Sequence, residues 1–369
     1  MRSPSQLHHR RPAALLGVAL GVAFGTCFVT GLLSHAAQAN LWWFPWPARP
    51  AWLYRLTQGT HVFTGLATIP LLLAKLWTVH PRLWRWPPVT GVAHAVERAA
   101  LVPLVGGALL LLVTGVTDIG YWYPYRFYFV SAHFWTAWIT VGALVVHVGA
   151  KWVVASDALR DREATSPSTT AGLERRRFLA AIAAAAGAIV LTTVGSAFTP
   201  LGRLAVLSPR RPGVGPQGLP VNHNAATVGV SDVRDDSGYR LRVSGRVRRP
   251  LALDLEGLRS RANHEAALPI SCVEGWSFSA RWRGVRLRDL LEEAGAEPGA
   301  AVVVRSLQSS GPWAAARVNP AHARHPDTLL ALEVNGEPLH LDHGFPVRLI
   351  APNTPGVLQT KWVREVEVQ

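Results

Sequence analysis

The sequence predicts a multi-pass membrane α-helical bundle of about five spans joined to a single α+β domain. Three observations lead there. The 369-residue chain is 49% hydrophobic and only 16% charged, a balance that suits a protein part membrane and part globular. Five apolar runs in its first half are each long enough to cross a bilayer, which takes about 20 residues. From about Arg203 onward the runs shorten, alternate and are punctuated by Gly and Pro, as strands and turns require.

The five runs are roughly Ala13–Leu33, Gln58–Val79, His94–Val116, Ser131–Val154 and Phe178–Phe198. The first is long and is followed by further spans, so it reads as an anchor and not as a cleaved signal peptide. Basic residues set the orientation. His8-His9-Arg10-Arg11 precedes the first run, Arg82 and Arg85 separate the second and third, and Lys151 to Arg177 follows the fourth. The alternate loops, Ser34–Thr57 and Thr117–Val130, hold only Arg49, Arg55 and Arg126. The positive-inside rule therefore places the N-terminus in the cytoplasm of a cell-membrane protein and everything after Phe198 outside. Trp42, Trp43, Trp46, Trp52, Tyr121, Trp122 and Tyr123 crowd the outer loops, where aromatic side chains favour the lipid–water boundary.

The net charge of +14 is almost all arginine, since only Lys75, Lys151 and Lys361 are lysines. These arginines flank apolar runs and form no basic helix interleaved with aromatics, so nucleic acid is excluded as a partner and lipid is expected. Before the fifth run, Arg175-Arg176-Arg177-Phe178-Leu179 precedes an alanine-rich helix. The segment resembles a twin-arginine export signal displaced to mid-chain, although three arginines before a span also satisfy the positive-inside rule alone. Asp157–Gly172, rich in Ser, Thr and charge, reads as a linker.

Ionisable side chains inside spans are costly and default to functional roles. His133 and His147 lie 14 residues apart on the fourth run, close to four helical turns, so they share a face at a separation of ~21 Å. This arrangement resembles the paired-histidine helix of di-haem membrane b-type cytochromes, and axial histidine is a standard haem ligand. By depth, His61 pairs with His133 for an outer haem. His147 pairs with His94, or with the competitor His80, for an inner one. Gly65, Gly106, Gly107 and Gly142 would let a flat macrocycle approach the helices, although glycine is common in membrane helices anyway. One or two b-type haems are thus expected, with a quinone or another electron-transfer partner at a position the sequence does not locate.

In the polar half, Tyr239–Gly245, Ala301–Leu307 and Val347–Ile350 read as strands. Leu255–Ala262 and Leu287–Ala294 read as short helices, the second closed by Gly295, and Asn335-Gly336 as a tight turn. Cys272 is the one cysteine there, and Cys27 lies in an apolar run, so no disulfide framework exists. A lone thiol outside the cytoplasm is poor structural glue and a good soft ligand for a transition metal.

Cys272-Val273-Glu274-Gly275-Trp276-Ser277, Trp282-Arg283-Gly284-Val285-Arg286-Leu287-Arg288-Asp289-Leu290-Leu291, Leu332-Glu333-Val334-Asn335-Gly336-Glu337-Pro338-Leu339, Asp342-His343-Gly344-Phe345-Pro346-Val347-Arg348 and Lys361-Trp362-Val363 occur in that order. Together, over about Leu219 to Gln369, they resemble the molybdopterin domain of the sulfite oxidase family, nearest the branch of the bacterial periplasmic methionine-sulfoxide reductases. The resemblance implies a molybdenum–molybdopterin cofactor, Cys272 as its single protein thiolate ligand, and Asn222, His343, Arg348, Gln359, Thr360 and Lys361 as pterin or phosphate contacts. One Arg and one Lys suit a dianionic phosphate terminus. There are departures. No tyrosine follows Tyr239, and Val273-Glu274-Gly275 stands where sulfite oxidases carry basic residues after the ligand, which puts sulfite as substrate in doubt. Trp276, Trp313, Arg281 and Arg283 are open between lining the mouth of the site and packing elsewhere.

The expected organisation is a four-helix membrane domain over 1–157 that binds haem through the histidines above, a linker with the arginine motif and fifth span over 158–202, and an extracytoplasmic oxidoreductase domain over 203–369. The expected function is a membrane-bound molybdenum oxidoreductase acting on a small S- or N-oxide and exchanging electrons through b-type haem with quinone. The rival is a non-catalytic receptor or anchor on a degenerate molybdopterin fold.

Overall fold

The computed structural model describes residues 10–39, 41, 43–83, 86, 89–160, 170–211, 213–230 and 238–369. His8, His9, Trp42, Arg85 and most of the proposed linker lie outside them. The chain divides into two compact units, one comprising residues up to Gly31 with Thr60–Val194, the other Leu32–Gly59 with Gly195–Gln369.

Five helices dominate the first part of the chain: α1 (Arg10–Ala39), α2 (Leu53–Leu83), α3 (Val92–Ile119), α4 (Phe129–Arg160) and α5 (Thr170–Leu191). All five are long and apolar enough to cross a membrane. Leu, Ala and Val fill them, and their threonines bond back to their own helix: Thr30 Oγ1 donates to the Thr26 carbonyl at 2.7 Å and Thr140 Oγ1 to the Thr136 carbonyl at 2.7 Å. Hydroxyls so satisfied need no water. Helices α3 and α4 pack closely, because Gly107 lies against Thr140 where any Cβ would collide with Oγ1. Gly107 is thereby explained by helix packing, whereas a Cβ at Gly65, Gly106 or Gly142 would meet no atom within 4 Å. Many apolar side chains face outward, among them Val22, Val102 and Val145.

The second unit holds two sheets. Strands β1 (Leu241–Gly245), β2 (Leu251–Leu253), β5 (Val302–Ser306), β6 (Ala315–Val318) and β10 (Val363–Val368) form one, in the order β2-β1-β10-β5-β6. Within it β1 and β10 run parallel, and the other pairs are antiparallel. Strands β3 (His264–Ser271), β4 (Ser277–Arg286), β7 (Leu329–Val334), β8 (Glu337–Pro338) and β9 (Arg348–Ile350) form the other, in which β7 pairs with β4, β8 and β9. Leu241 and Val243 are buried and Arg242 is exposed on β1, the period-two pattern of a strand with one covered face. Helices α6 (Leu255–Arg261), α7 (Leu287–Glu293) and α8 (Pro320–Ala323) complete the domain. Asp254 caps α6 by accepting from the Gly257 amide at 2.8 Å, and Gly295, at φ +70°, ends α7.

The expected strands, both short helices and the Asn335-Gly336 turn (φ +54° and +88°) are all present. The β3–β4 hairpin and the terminal strand β10 were not foreseen. Trp46 departs from its expected place at a lipid boundary: it is buried, and its indole Nε1 donates to the Asn353 carbonyl at 2.8 Å. An indole with a good acceptor inside a domain gains both burial and a hydrogen bond. Trp43, Trp52 and Trp122 are exposed.

Candidate functional site

The longest hairpin carries the lone thiol at its tip. Strands β3 and β4 pair from His264–Gly284 to Ser271–Ser277, leaving Cys272–Trp276 as the loop. The Cys272 amide donates to the Trp276 carbonyl at 2.9 Å and the Gly275 amide to the Cys272 carbonyl at 3.1 Å. Gly275 holds φ +88°, a conformation that a side chain would strain. Cys272 is buried and unpaired to any cysteine.

Asn222 reaches the same place from the segment before β1. Its Nδ2 lies 3.3 Å from Cys272 Sγ and donates to Glu274 Oε1 at 2.7 Å, while its Oδ1 accepts from Arg210 Nε at 3.0 Å. Glu274 is buried as well, and its other oxygen accepts from Trp276 Nε1 at 2.8 Å. A buried carboxylate is tolerable only when so bonded. Arg210 was not singled out from the sequence, and Glu274 entered only as a departure from the family's basic residues; its contact with Asn222 exists only once the turn folds it back.

Two later loops make the opposite wall. Gly344, at φ +108°, sits against the Lys361 backbone, where a Cβ would lie 3.1 Å from its Cα. The Trp362 amide donates to the Gly344 carbonyl at 3.2 Å and the Leu349 amide to the Thr360 carbonyl at 2.9 Å. This stitching places Arg348, Gln359, Thr360 and Lys361 together. With Cys272, Asn222, Trp276 and Trp313 they line one cleft. Arg281 and Arg283 do not line it; Arg283 Nη1 pairs with Glu333 on the sheet at 3.5 Å. Tyr239 is also elsewhere, buried with its hydroxyl donating to the Val363 carbonyl at 2.6 Å.

The electrostatics of this wall suit an anion. Arg348 is buried; burial lowers its pKa to about 10, with the nearby Cys272 acting against the shift, so it stays cationic at neutral pH. Burial, then Arg348, lower Lys361 to about 7, while Asp342 and Cys272 oppose the fall. Its Nζ donates to the His223 and Asp342 carbonyls at 2.7 Å each. Three polar atoms here, Arg348 Nε, Gln359 Oε1 and Thr360 Oγ1, are buried without a hydrogen-bond partner among the described residues. Such orphans are costly in a finished protein and mark where a ligand's polar groups belong. A thiol, two cations and mixed donors and acceptors are the chemistry that a metal–dithiolene with a phosphate tail needs, so the residues present fit that group.

His343 is placed otherwise than expected. It does not line the cleft; its ring Nε2 bonds the Pro216 carbonyl at 2.6 Å, and its own carbonyl accepts from Arg348 Nη1 at 3.2 Å. It supports Arg348 from behind. Burial lowers its pKa to about 4, against the Pro216 bond, so the ring is neutral and Nε2 carries the donated proton.

Among the helices, His61 and His133 come together with ring centroids 6.2 Å apart. Two imidazoles on opposite sides of one metal, each bonded at about 2 Å, have centroids about 6 Å apart. Both rings are held through Nδ1: His61 by the Cys27 carbonyl at 2.9 Å, His133 by Thr114 Oγ1 at 2.9 Å. That leaves each Nε2 as the nitrogen a metal could reach, the arrangement typical of metal-bound histidine. Gly31 lies against the His61 ring, a glycine the sequence reading did not single out. His94 Nδ1 is likewise engaged, by Thr90 Oγ1 at 3.0 Å and the Thr90 amide at 3.2 Å, at the start of α3. His147 Nδ1 is buried without a partner among the described residues.

Comparison with known proteins agrees with the cleft. Residues 227–369 match the family model described as oxidoreductase molybdopterin binding domain. Mitochondrial sulfite oxidase of Rattus norvegicus is 35% identical over 162 residues, covering 37% of this chain and 30% of the relative. The uncharacterized oxidoreductase YuiH of Bacillus subtilis (strain 168) is 33% identical over 157 residues, covering 40% of this chain and 78% of the relative. The protein-methionine-sulfoxide reductase catalytic subunit MsrP of Gluconobacter oxydans (strain 621H) is 33% identical over 145 residues, covering 35% and 46%. The chain spans about 30% of the length of the mammalian sulfite oxidases it matches, and helices α1–α5 lie outside the family match. Given a cysteine-centred cleft with an anion-binding wall and the alignment over 78% of the Bacillus relative, the chain belongs to the molybdopterin-binding oxidoreductases of the sulfite oxidase family.

Proposed function

We propose that this chain is a membrane-anchored molybdenum oxidoreductase that reduces a small S- or N-oxide outside the cell membrane, drawing electrons from quinol through b-type haem held by its helices. The observation that carries the reading is the convergence of Cys272, Arg348, Lys361 and three orphaned buried polar atoms on one cleft.

Cys272 is the residue to hold molybdenum, with Asn222 Nδ2 steadying its sulfur. Arg348 and Lys361 are the cations for the phosphate terminus, and Gln359 and Thr360 offer their free Oε1 and Oγ1 to the pterin. When bound, the cofactor supplies two-electron oxygen-transfer chemistry. Trp276 and Trp313 give the cleft apolar walls that limit water near the substrate. The Glu274 carboxylate lies beside the thiol, where it repels an anion such as sulfite and tolerates a neutral oxide. The methionine-sulfoxide reductase relative supports the same direction.

In the helical part, His61 and His133 are the two residues that would hold an outer haem. His147, with an unpartnered Nδ1, is the candidate ligand for a second, with His94 or the competitor His80 as its partner. The outward apolar faces of α1–α4 and the basic residues flanking them support insertion with the N-terminus in the cytoplasm. The Arg175–Arg177 motif supports export of the domain already folded.

Metal and pterin analysis of the purified chain tests the centre: one molybdenum and one pterin per chain are expected, both lost in Cys272→Ala. An unmodified chain that carries neither overturns the proposal. For the haem, b-type bands in a reduced-minus-oxidised spectrum are expected to fall in His133→Ala, and bands that persist unchanged remove His133 as a ligand.

A further inference from the structure

The segment between α1 and α2 belongs to the same compact unit as the β-rich domain, and its side chains show why. Asn353, at φ +52°, uses its carbonyl and both side-chain polar atoms on it: its carbonyl accepts from Trp46 Nε1 at 2.8 Å, its Oδ1 from the Tyr54 amide at 2.7 Å, and its Nδ2 donates to the Pro47 carbonyl at 2.6 Å. Trp46 and Tyr54 are buried, their rings edge to face at 6.3 Å. Ala51 packs against the cluster that contains Cys272 and Trp276.

This docked segment ends at the metal-ligand turn. Gln58, buried in the first turns of α2, donates its Nε2 hydrogen to the carbonyl of Val273, the residue after Cys272. Its Oε1 is buried without a partner among the described residues. A buried primary amide that satisfies only one of its ends is not placed there for stability. Three residues later on the same helix stands His61, and residues three apart share a helix face.

We infer that Gln58 is the electron port of the molybdenum site, the side chain through which single electrons pass between helix α2 and the Cys272 turn. The route is continuous: Cys272, its peptide link to Val273, the Val273 carbonyl, the Gln58 amide, then one turn of α2 to His61. Electron transfer through bonded and hydrogen-bonded atoms outruns transfer across gaps, so one hydrogen bond in place of a gap sets the rate. The balance closes over one turnover. A quinol gives up two electrons and two protons and becomes a quinone. The S- or N-oxide takes up two electrons and two protons, its S–O or N–O bond breaks, and water leaves. The inference rests on the haem reading of His61.

The test uses the full chain in detergent, with Gln58→Met, which keeps the length and loses the donor. Turnover fed by a soluble viologen reductant, which reaches the cleft directly, and the b-type spectrum are expected to stay unchanged. The rate at which an added sulfoxide reoxidises pre-reduced haem is expected to fall about tenfold. Hydrogen exchange at the Cys272 and Gly275 amides of the cofactor-free chain stays as before, whereas a merely structural role for Gln58 would raise it. Trp46→Phe removes a different hydrogen bond of the same docked segment and is expected to leave haem reoxidation intact. The inference is overturned if haem-loaded Gln58→Met reoxidises at the original rate, or if Trp46→Phe slows reoxidation equally, which would make docking alone the cause. Should Gln58→Met not fold, Gln58→Asn, whose shorter amide cannot reach, reads the same rate. An unmodified chain with molybdenum and dye-fed turnover but no b-type bands instead removes the haem reading itself, and this inference with it.

Discussion

His343 shows how a residue can serve a binding site without entering it. Its neutral ring ties the Pro216 carbonyl, and its backbone steadies Arg348. Because burial holds its folded pKa at about 4 against 6.5 in the unfolded chain, the unfolded state binds the extra proton between those values. Its contribution to stability is therefore complete above pH 6.5 and is lost as pH falls toward 4, by roughly 3 kcal/mol at the limit. Thermal unfolding of the cofactor-free chain from pH 7 to 4.5 is expected to show this slope, and His343→Gln to flatten it. At this scale the sequence was legible for Cys272, Arg348 and Lys361, whose chemistry is unambiguous once ordered by motif. It was silent on Arg210 and Gln58, and marked Glu274 only as part of a departure from the family's basic residues; their places come from folds that bring them to the thiol. For His343 the sequence did not reveal the bond of its ring to the Pro216 carbonyl, since a turn histidine reads the same whether its ring faces a ligand or a carbonyl.

Strands β4 and β7 meet at a point where only glycine fits. The position a Cβ would take at Gly284 is already filled by the Leu330 carbonyl, and the register shifts between Arg283 and Gly284. Gly284→Ala must push the two strands apart directly below the Cys272 hairpin, and a loss of about 2–4 kcal/mol is expected in chemical unfolding. Among the elements, β1, β5, α6 and α7 were readable because their burial alternates cleanly or their ends carry Asp254 and Gly295. The β4 strand carried the same signal, with Phe278, Ala280 and Trp282 buried and Ser279, Arg281 and Arg283 on the other face. Strand β10 did not: the bulge between Val363 and Glu365 breaks its period of two, so Val363 and Val366 are both buried although three residues apart.

For the whole molecule, the five long helices are apolar enough to cross a membrane, and many of their apolar side chains face outward. Val22, Val102 and Val145 are 65%, 74% and 67% exposed, and contiguous apolar surface of this kind is unstable in water. The chain is expected to stay with the membrane fraction through a high-salt and alkaline carbonate wash and to leave it only with detergent; release by carbonate would sink the anchoring. The number of helices was legible because length and hydropathy are local properties. The allegiance of Leu32–Gly59 to the β-rich unit was not, since the hydrogen bonds that decide it join Trp46, Pro47 and Tyr54 to Asn353, some three hundred residues away.

The position of β10 has a consequence for biosynthesis. Strand β10 lies between β1 and β5 in its sheet, parallel to the first, and it follows Gln359–Trp362 directly. During translation β1 and β5 leave the ribosome early and wait without the strand that joins them. The cleft wall bearing Thr360 and Lys361 cannot set until that strand has emerged and slotted in. The grip of Arg348 and Lys361 on any ligand is therefore completed only after the sheet has closed around β10.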